Sequence, residues 1–319
     1  MRRLALALGF ALSLTLSLAA SGCGGGSSGG GGGGMSTVAT TTSSTTTTTT
    51  PVTSTTTSPT STQTVLAQGT IKFLTYNVAG LPQVISQVHP QRNTPLISPK
   101  LNTYDLVVVQ EDFWYHTVLM RDATHPFQSQ PMLQYITLVN DGLNTFSRSS
   151  FYDFTRVKWT DMHGVLSNQN DALSSKGFTA ARHDLGSGVT VDVYNLHGDA
   201  GGDQGDIDAR LKNFAQLQTF MRTFSAGRPV IVAGDTNLNA NRPGDMAILT
   251  DFLGTNGLVD SARSLGKGES LDRVMLRSTL DVSLEAVLWE KAPEFFDAAG
   301  QPLSDHGAVH VDILWKRLR

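Results

Sequence analysis

The sequence predicts an α/β domain of stacked sheets flanked by helices, carried behind a front segment with no core of its own. Three observations carry this. Apolar runs of strand length, closed by turn residues, recur from Ile71 to Leu314. Only one long stretch, Ile207 to Phe224, clearly repeats its apolar residues at helical spacing. The charges are also confined: no Lys, Arg, Asp or Glu lies between Leu4 and Thr70, whereas all 27 acidic and 22 of the 24 Lys and Arg residues lie from residue 71 onward. That charged part is 249 residues long, enough for one domain with a sizeable core. Many strands with few long helices imply sheets packed in layers.

The front segment reads as an address and a tether. Arg2 and Arg3 precede an apolar run from Leu4 to Ala20, the pattern of a secretory signal. Ala20-Ser21-Gly22-Cys23 resembles a bacterial lipoprotein cleavage box, which implies acylation of Cys23 as the new N-terminus. Cys23 is the only cysteine in the chain, so the domain has no disulfide framework, zinc–thiolate site or cysteine nucleophile. Glycine dominates residues 24–34, and threonine, with serine and proline, dominates 37–64. Such tracts bury too little apolar surface to offset chain entropy, and a disordered spacer is expected. A flexible coil of about 47 residues spans roughly 35–40 Å. The expected organisation is a signal peptide over 1–22, a lipidated spacer over 23–66 and a folded domain over 67–319. The expected location is a bacterial cell envelope, anchored to a membrane by lipid, with secretion as the alternative.

Within the domain, strands are expected over Ile71–Val78, Tyr104–Gln110, Tyr135–Val139, Phe178–Arg182, Val189–Leu196, Pro229–Ala233, Leu271–Leu276, Ser283–Trp289 and Ala308–Leu314. Leu106-Val107-Val108-Val109 is continuous rather than alternating, the mark of a strand buried on both faces. In the helix, Ile207, Leu211, Phe214, Leu217, Met221 and Phe224 form the apolar face, with Asp206 as N-cap and Gly227 as terminator. The acidic run Asp199, Asp203, Asp206 and Asp208 does not have calcium-loop spacing and reads as solvated loop and helix start.

Five strand ends carry polar residues that a core would not choose: Tyr76-Asn77-Val78-Ala79-Gly80, Gln110-Glu111-Asp112, Asn195-Leu196-His197-Gly198, Gly234-Asp235-Thr236-Asn237 and Ser304-Asp305-His306. Strand ends are rigid mounts from which loops converge on one crevice. In this order the blocks resemble the endonuclease/exonuclease/phosphatase superfamily, with its DNase I-like fold, from about Ile71 to Leu314. The resemblance implies a four-layer α/β/β/α sandwich with two mixed sheets. Leu271-Asp272-Arg273-Val274 is a looser sixth match, implying that Asp272 partners His306. Two further stretches, Asp141 to Arg148 and Ser175-Lys176-Gly177-Phe178, resemble the neutral sphingomyelinase branch. The sequence departs from the family pattern around His197, at Leu196 and Gly198.

The implied chemistry is metal-assisted attack of water on phosphorus. Glu111 is the first choice of metal ligand, with Asn77 and Asp305 as neighbours. All three offer oxygen, so Mg²⁺ or Mn²⁺ suits them. Asp235 would orient or deprotonate the water. Asn237, if the turn stays extended, would project the same way and hold a phosphate oxygen. His306 would be general base or phosphate contact, its tautomer set by Asp272. His197 would neutralise phosphoryl charge or protonate the leaving oxygen. Phe113-Trp114-Tyr115-His116 reads as packing or as a rim around the substrate, and His125, His163, His183 and His310 read as structural.

The net charge from residue 71 onward is −5 (22 basic against 27 acidic residues), which disfavours broad nucleic-acid coating. A surface-tethered phosphodiesterase acting on a phospholipid headgroup is therefore the first reading. A nuclease or an inositol-phosphate phosphatase of the same fold stands beside it, and an inactive tethered binding module is the outsider. No protein partner is implied, and a monomer is expected.

Overall fold

A computed structural model describes residues 63–319 except 85, 87, 133–139 and 165–174. The signal segment, Cys23, nearly all of the spacer and the expected strand Tyr135–Val139 lie outside the described residues.

Twelve strands are described. They form two six-stranded sheets. The first is built from β1 (Val65–Asn77), β2 (Leu106–Gln110), β3 (Phe127–Gln128), β4 (Asn144–Ser147), β11 (Val282–Lys291) and β12 (Val309–Leu318), in the order β11-β12-β1-β2-β4-β3. The second is built from β5 (Phe151–Lys158), β6 (Gly177–Gly186), β7 (Val189–His197), β8 (Val230–Asp235), β9 (Val259–Asp260) and β10 (Asp272–Arg277), in the order β5-β6-β7-β8-β10-β9. Each sheet is mixed: β1 pairs parallel with β2, β7 pairs parallel with β8, and the other pairings are antiparallel.

Three apolar layers hold four structural layers together. Between the sheets lie Ile71, Phe73, Val108, Val191, Val193, Ile231 and Val311. The outer face of the second sheet packs Phe178, Leu196 and Val232 against Phe214, Leu217 and Met221 of α3 (Gln204–Phe224) and Ile248, Leu249 and Phe252 of α4 (Pro243–Asn256). The outer face of the first sheet packs Leu74, Val107 and Val109 against Ile97, Leu101 and Leu119. Those residues come from α1 (Pro90–Ile97), the 3₁₀ turn Ser98–Thr103 and α2 (His116–Met120). The expected α/β/β/α sandwich is the observed one. β2 and β8 are buried at every position, as their unbroken apolar runs require.

Several local expectations change. β1 starts at Val65, six residues before the expected Ile71, because its first half pairs with β12 and needs no buried face. The cap of α3 is Asp203, not Asp206: the two form a reciprocal capping box, each side chain accepting from the other's backbone N–H. The acidic run is therefore not simply solvated, since Asp199 and Asp206 are buried. Leu211 is exposed, and the buried face of α3 instead includes Arg210, whose Nε lies 2.8 Å from Asp245 Oδ1. Helix α4 was not expected; Pro243 in its first turn and Gly257 in the left-handed conformation after it are the signals that mark it.

Candidate active site

The polar blocks meet at one end of the sandwich because strand register puts them there. Asn77 is aligned with Gln110 at the ends of β1 and β2, and His197 with Asp235 at the ends of β7 and β8. Asp235 is aligned with Asp272 at the start of β10. Asn77 Nδ2 donates to Glu111 Oε1 at 3.0 Å and to Asp235 Oδ2 at 3.1 Å, joining the two sheets at the site. The Asn77 carbonyl accepts from Ser304 Oγ at 2.7 Å, which pins the loop carrying Asp305 and His306 to the same place.

Asp235 is the hub. Its Oδ2 lies 3.5 Å from His197 Nε2 and 3.6 Å from His306 Nε2, while its Oδ1 accepts from the Asn237 backbone N–H at 3.0 Å. The other nitrogen of His306, Nδ1, is 3.1 Å from both carboxylate oxygens of Asp272. Lys291 Nζ stands 3.7 Å from Asp272 Oδ2. His197 is fully buried, its Nε2 also 4.0 Å from Glu111 Oε1; its Nδ1 has no hydrogen-bond partner among the described residues. Asp305 is exposed beside this group.

The backbone is strained where the site is built. Of the five described non-glycine residues in the left-handed region, Ala79 (φ 48°), Glu111 (φ 55°) and Asn237 (φ 53°) belong to the site blocks. Asn237 thus does not continue an extended turn from Asp235, and its side-chain amide donates to the Gly198 carbonyl at 3.2 Å. Gly80 is required where it stands: its N–H donates to the Glu111 carbonyl at 2.9 Å, and a Cβ there would collide with that oxygen.

Electrostatics follow from burial. Burial raises the carboxyl pKa of Glu111, and the charges of Asp235 and Asp305 add to it against the opposing pull of Lys176 and Asn77. Asp235 is raised by burial as well, with His306 opposing. Burial holds the His197 imidazole well below its ordinary value. For His306, burial lowers the pKa, but the Asp272 hydrogen bond and the charges of Asp235, Asp272 and Asp305 outweigh it and push it up to about 10.

The site therefore holds four carboxylates against His306, Lys176 and Lys291, and two of the four are destabilised in their ionised form. A cation answers that excess. Asp235, Asp272 and His306 have ligand atoms within 4.8 Å of one another. There, however, the His306 ring sits between the two carboxylates, 3.6 Å from Asp235 and 3.1 Å from Asp272, and their charges favour its protonated form. Glu111, with Asn77 and Asp305 nearby, is the other oxygen-rich side, where, among the described residues, only the charge of Lys176 opposes the carboxylates and no thiolate is present. That donor set fits a hard divalent ion.

Sequence reasoning missed Lys176 as a site residue. It is buried just before β6, and its charge acts on Glu111, Asp235 and His197. The available signal was the block Ser175-Lys176-Gly177-Phe178, a lysine directly preceding a buried strand, to which no site role is given above. The block after Glu111 divides: Phe113 is buried, whereas Trp114 is 61% exposed. His116 Nδ1 lies 2.5 Å from Asp112 Oδ2. His125 and His183 are buried in the domain, His163 contacts Asp206, and His310 sits between Glu290 and Asp312.

The molecule is thus a four-layer sandwich with an acid–histidine cluster at its strand ends. The chain belongs to the Endonuclease/Exonuclease/phosphatase family, whose profile matches residues 74–306. It is 36% identical over 275 residues to proteins named sphingomyelinase from Mycobacterium tuberculosis and Mycobacterium bovis. The match covers 79% of this chain and 54% of theirs, so the chain spans about half the length of these relatives. Among solved structures, it resembles sphingomyelinase C from Streptomyces griseocarneus (20% identity, TM-score 0.56, covering 76% of this chain and 99% of that one). It also resembles a beta toxin variant from Staphylococcus aureus with bound magnesium ions (17%, TM-score 0.57, 76% and 99%). A third likeness is D. rerio TDP2 with a single-strand DNA product (18%, TM-score 0.60, 77% and 99%). These structural likenesses establish the fold.

Proposed function

We propose that this protein is a divalent-metal-dependent phosphodiesterase that hydrolyses a phospholipid headgroup, with sphingomyelin as the named substrate. The 36% identity to sphingomyelinases over 79% of the chain carries the substrate reading. Glu111, helped by Asn77 and Asp305, would hold Mg²⁺ or Mn²⁺, and the bound ion would polarise a phosphoryl oxygen and neutralise charge on it. Asp235 is the group that orients the attacking water and draws its proton. His306 carries its proton at neutral pH, with Nδ1–H fixed on Asp272, so Nε2–H is available to a phosphoryl or leaving oxygen. Lys176 adds a second positive charge. His197, held uncharged by burial, stands 3.5 Å from Asp235 and 4.0 Å from Glu111 as a wall of the site rather than as a cation. Asn237 keeps one amide N–H on the Gly198 carbonyl and has the other to offer a phosphate oxygen. The location in this proposal is the bacterial cell envelope, through a lipid on Cys23.

The test is a substrate panel with the full chain: sphingomyelin vesicles, bis-p-nitrophenyl phosphate, plasmid DNA and inositol phosphates, each with Mg²⁺ and with EDTA. Phosphocholine release that needs the metal and disappears in Asp235→Asn is the expected result. Turnover of DNA or inositol phosphates with no release from sphingomyelin would move the assignment to a nuclease or a phosphatase. A flat panel would point to a binding module.

A further inference from the structure

Gln110 and Asn195 belong to the site's sequence blocks, yet the roles above leave them idle. Both are fully buried. Gln110 ends β2, one residue before Glu111; Asn195 lies on β7, two residues before His197. Gln110 Nε2 donates to Asn195 Oδ1 at 2.7 Å and to Thr75 Oγ1 on β1 at 3.1 Å. Asn195 Nδ2 donates to the Val109 carbonyl at 2.9 Å and to the Asn144 carbonyl at 3.3 Å. Gln110, Val109 and Asn144 sit on the first sheet and Asn195 on the second, so three of these four bonds cross between the sheets.

The rest of the layer between the sheets is largely aliphatic. Apolar contact is non-directional, so by itself it fixes the separation of two sheets better than their offset. Hydrogen bonds in a dry interior are directional and costly to break. The reacting groups are split across that layer: Asn77, Glu111 and the loop of His306 are held by the first sheet, and His197, Asp235 and Asp272 by the second. The Asn77–Asp235 contact of 3.1 Å and the His306–Asp235 approach of 3.6 Å both bridge them. We propose that Gln110 and Asn195 are positioning residues, a hydrogen-bonded latch that sets the offset of the two sheets and so the fit between the two halves of the site. The proposal rests on the assignment of Glu111, Asp235 and His306 as the reacting site.

The test uses the full chain and the soluble diester bis-p-nitrophenyl phosphate, well below the melting temperature. The variants are Gln110→Met, Asn195→Leu and the double replacement. A misplacement on the order of 1 Å costs up to about 100-fold in rate. Each single variant is therefore expected to lose roughly 30- to 100-fold in kcat, with KM changed little. In the double variant no amide faces an apolar side chain across the layer, so its melting temperature should be no lower than that of the singles, while kcat stays low. Should a single variant fail to fold, the double variant carries the measurement. Tyr194→Phe, which removes a buried bond to Ser225 at 2.6 Å within the second sheet's outer layer, should lower melting temperature without lowering kcat. Near-wild-type kcat in the folded latch variants, or kcat recovering together with melting temperature in the double, overturns the latch. Asp235→Asn and His306→Ala run in parallel: if they stay active, the site assignment fails, and the latch fails as a consequence of it.

Discussion

Asp272 and His306 form the pair that carries the proton chemistry of the proposed reaction. They are 34 residues apart in sequence, yet Nδ1 of the ring rests 3.1 Å from each oxygen of the carboxylate. The carboxylate fixes the tautomer, leaving Nε2 toward the hub carboxylate of Asp235, and helps keep the ring protonated. Asp272→Asn keeps the size and removes the charge; His306→Ala removes the ring. Each is expected to lower kcat by roughly 10²-fold, about 3 kcal/mol of barrier, with substrate binding less affected. The double variant should be little worse than His306→Ala, because groups that act as one unit are not additive. Steady-state kinetics of the four proteins decides it: multiplicative losses with both singles folded would give Asp272 a separate role. At the same scale, Glu111→Gln should weaken the response to metal. Carboxylates about 5 Å apart repel by roughly 3 kcal/mol at an effective dielectric of about 20, and a bound cation reverses that sign. EDTA should thus lower the melting temperature of the wild type, and Glu111→Gln should remove most of that shift. An EDTA shift of wild-type size in the variant would place the ion elsewhere.

At the scale of elements, β6 carries a liability at acid pH. His183 on this strand is buried, its ring stacked on Phe151 at 5.0 Å between centroids and its Nδ1 3.4 Å from Ser147 Oγ. Burial pushes its pKa down to about 3. In the unfolded chain the ring titrates near 6.5. Between these values the unfolded state binds more protons than the folded one, so this contribution is present above about pH 6.5 and is lost as pH falls toward 3. Urea unfolding from pH 6 to pH 4 should show wild type losing more stability than His183→Leu, by about 1.4 kcal/mol per pH unit. His197 is buried in both proteins, so it drops out of the difference. Equal slopes in the two proteins would show that the folded ring takes up its proton without cost.

On the whole-molecule scale, the charge distribution disfavours broad nucleic-acid binding. From residue 71 onward the chain is acidic at −5 (22 basic against 27 acidic residues) and has no excess of cations to spread along nucleic acid. No helix among the described residues is long and apolar enough to cross a membrane. The proposed hold on a membrane is instead the lipid on Cys23. In a bacterial host fed a labelled fatty acid, the wild type should take up label and fractionate with membranes, while Cys23→Ala should do neither. Absence of label in the wild type would refute the anchor. Removing residues 1–62 should leave hydrolysis of a soluble diester unchanged, because the first described backbone tie is between Thr64 and Arg319.

The layered α/β class, most of the buried strands and the polar blocks at their ends were legible in the sequence, because each is a local property; β4 and β5 were not. A strand buried on both faces must be an unbroken apolar run, as in Leu106 to Val109, and a polar group held rigidly at the rim must stand at the end of such a run, as Glu111 and Asp235 do. What depends on distant partners was not legible. The early start of β1 is decided by β12, and the capping role of Asp203 by the back-bond from Asp206. The exposure of Leu211 is decided by where the second sheet meets α3. The left-handed turn at Asn237 and the buried charge of Lys176 arise only when strands far apart in the chain are brought together. The same holds for the contacts of Asp235 with Asn77 and His306. Periodicity records which face of an element avoids water; which groups then touch, and how strongly burial shifts their protons, is decided by packing between elements whose separation in sequence carries no such record.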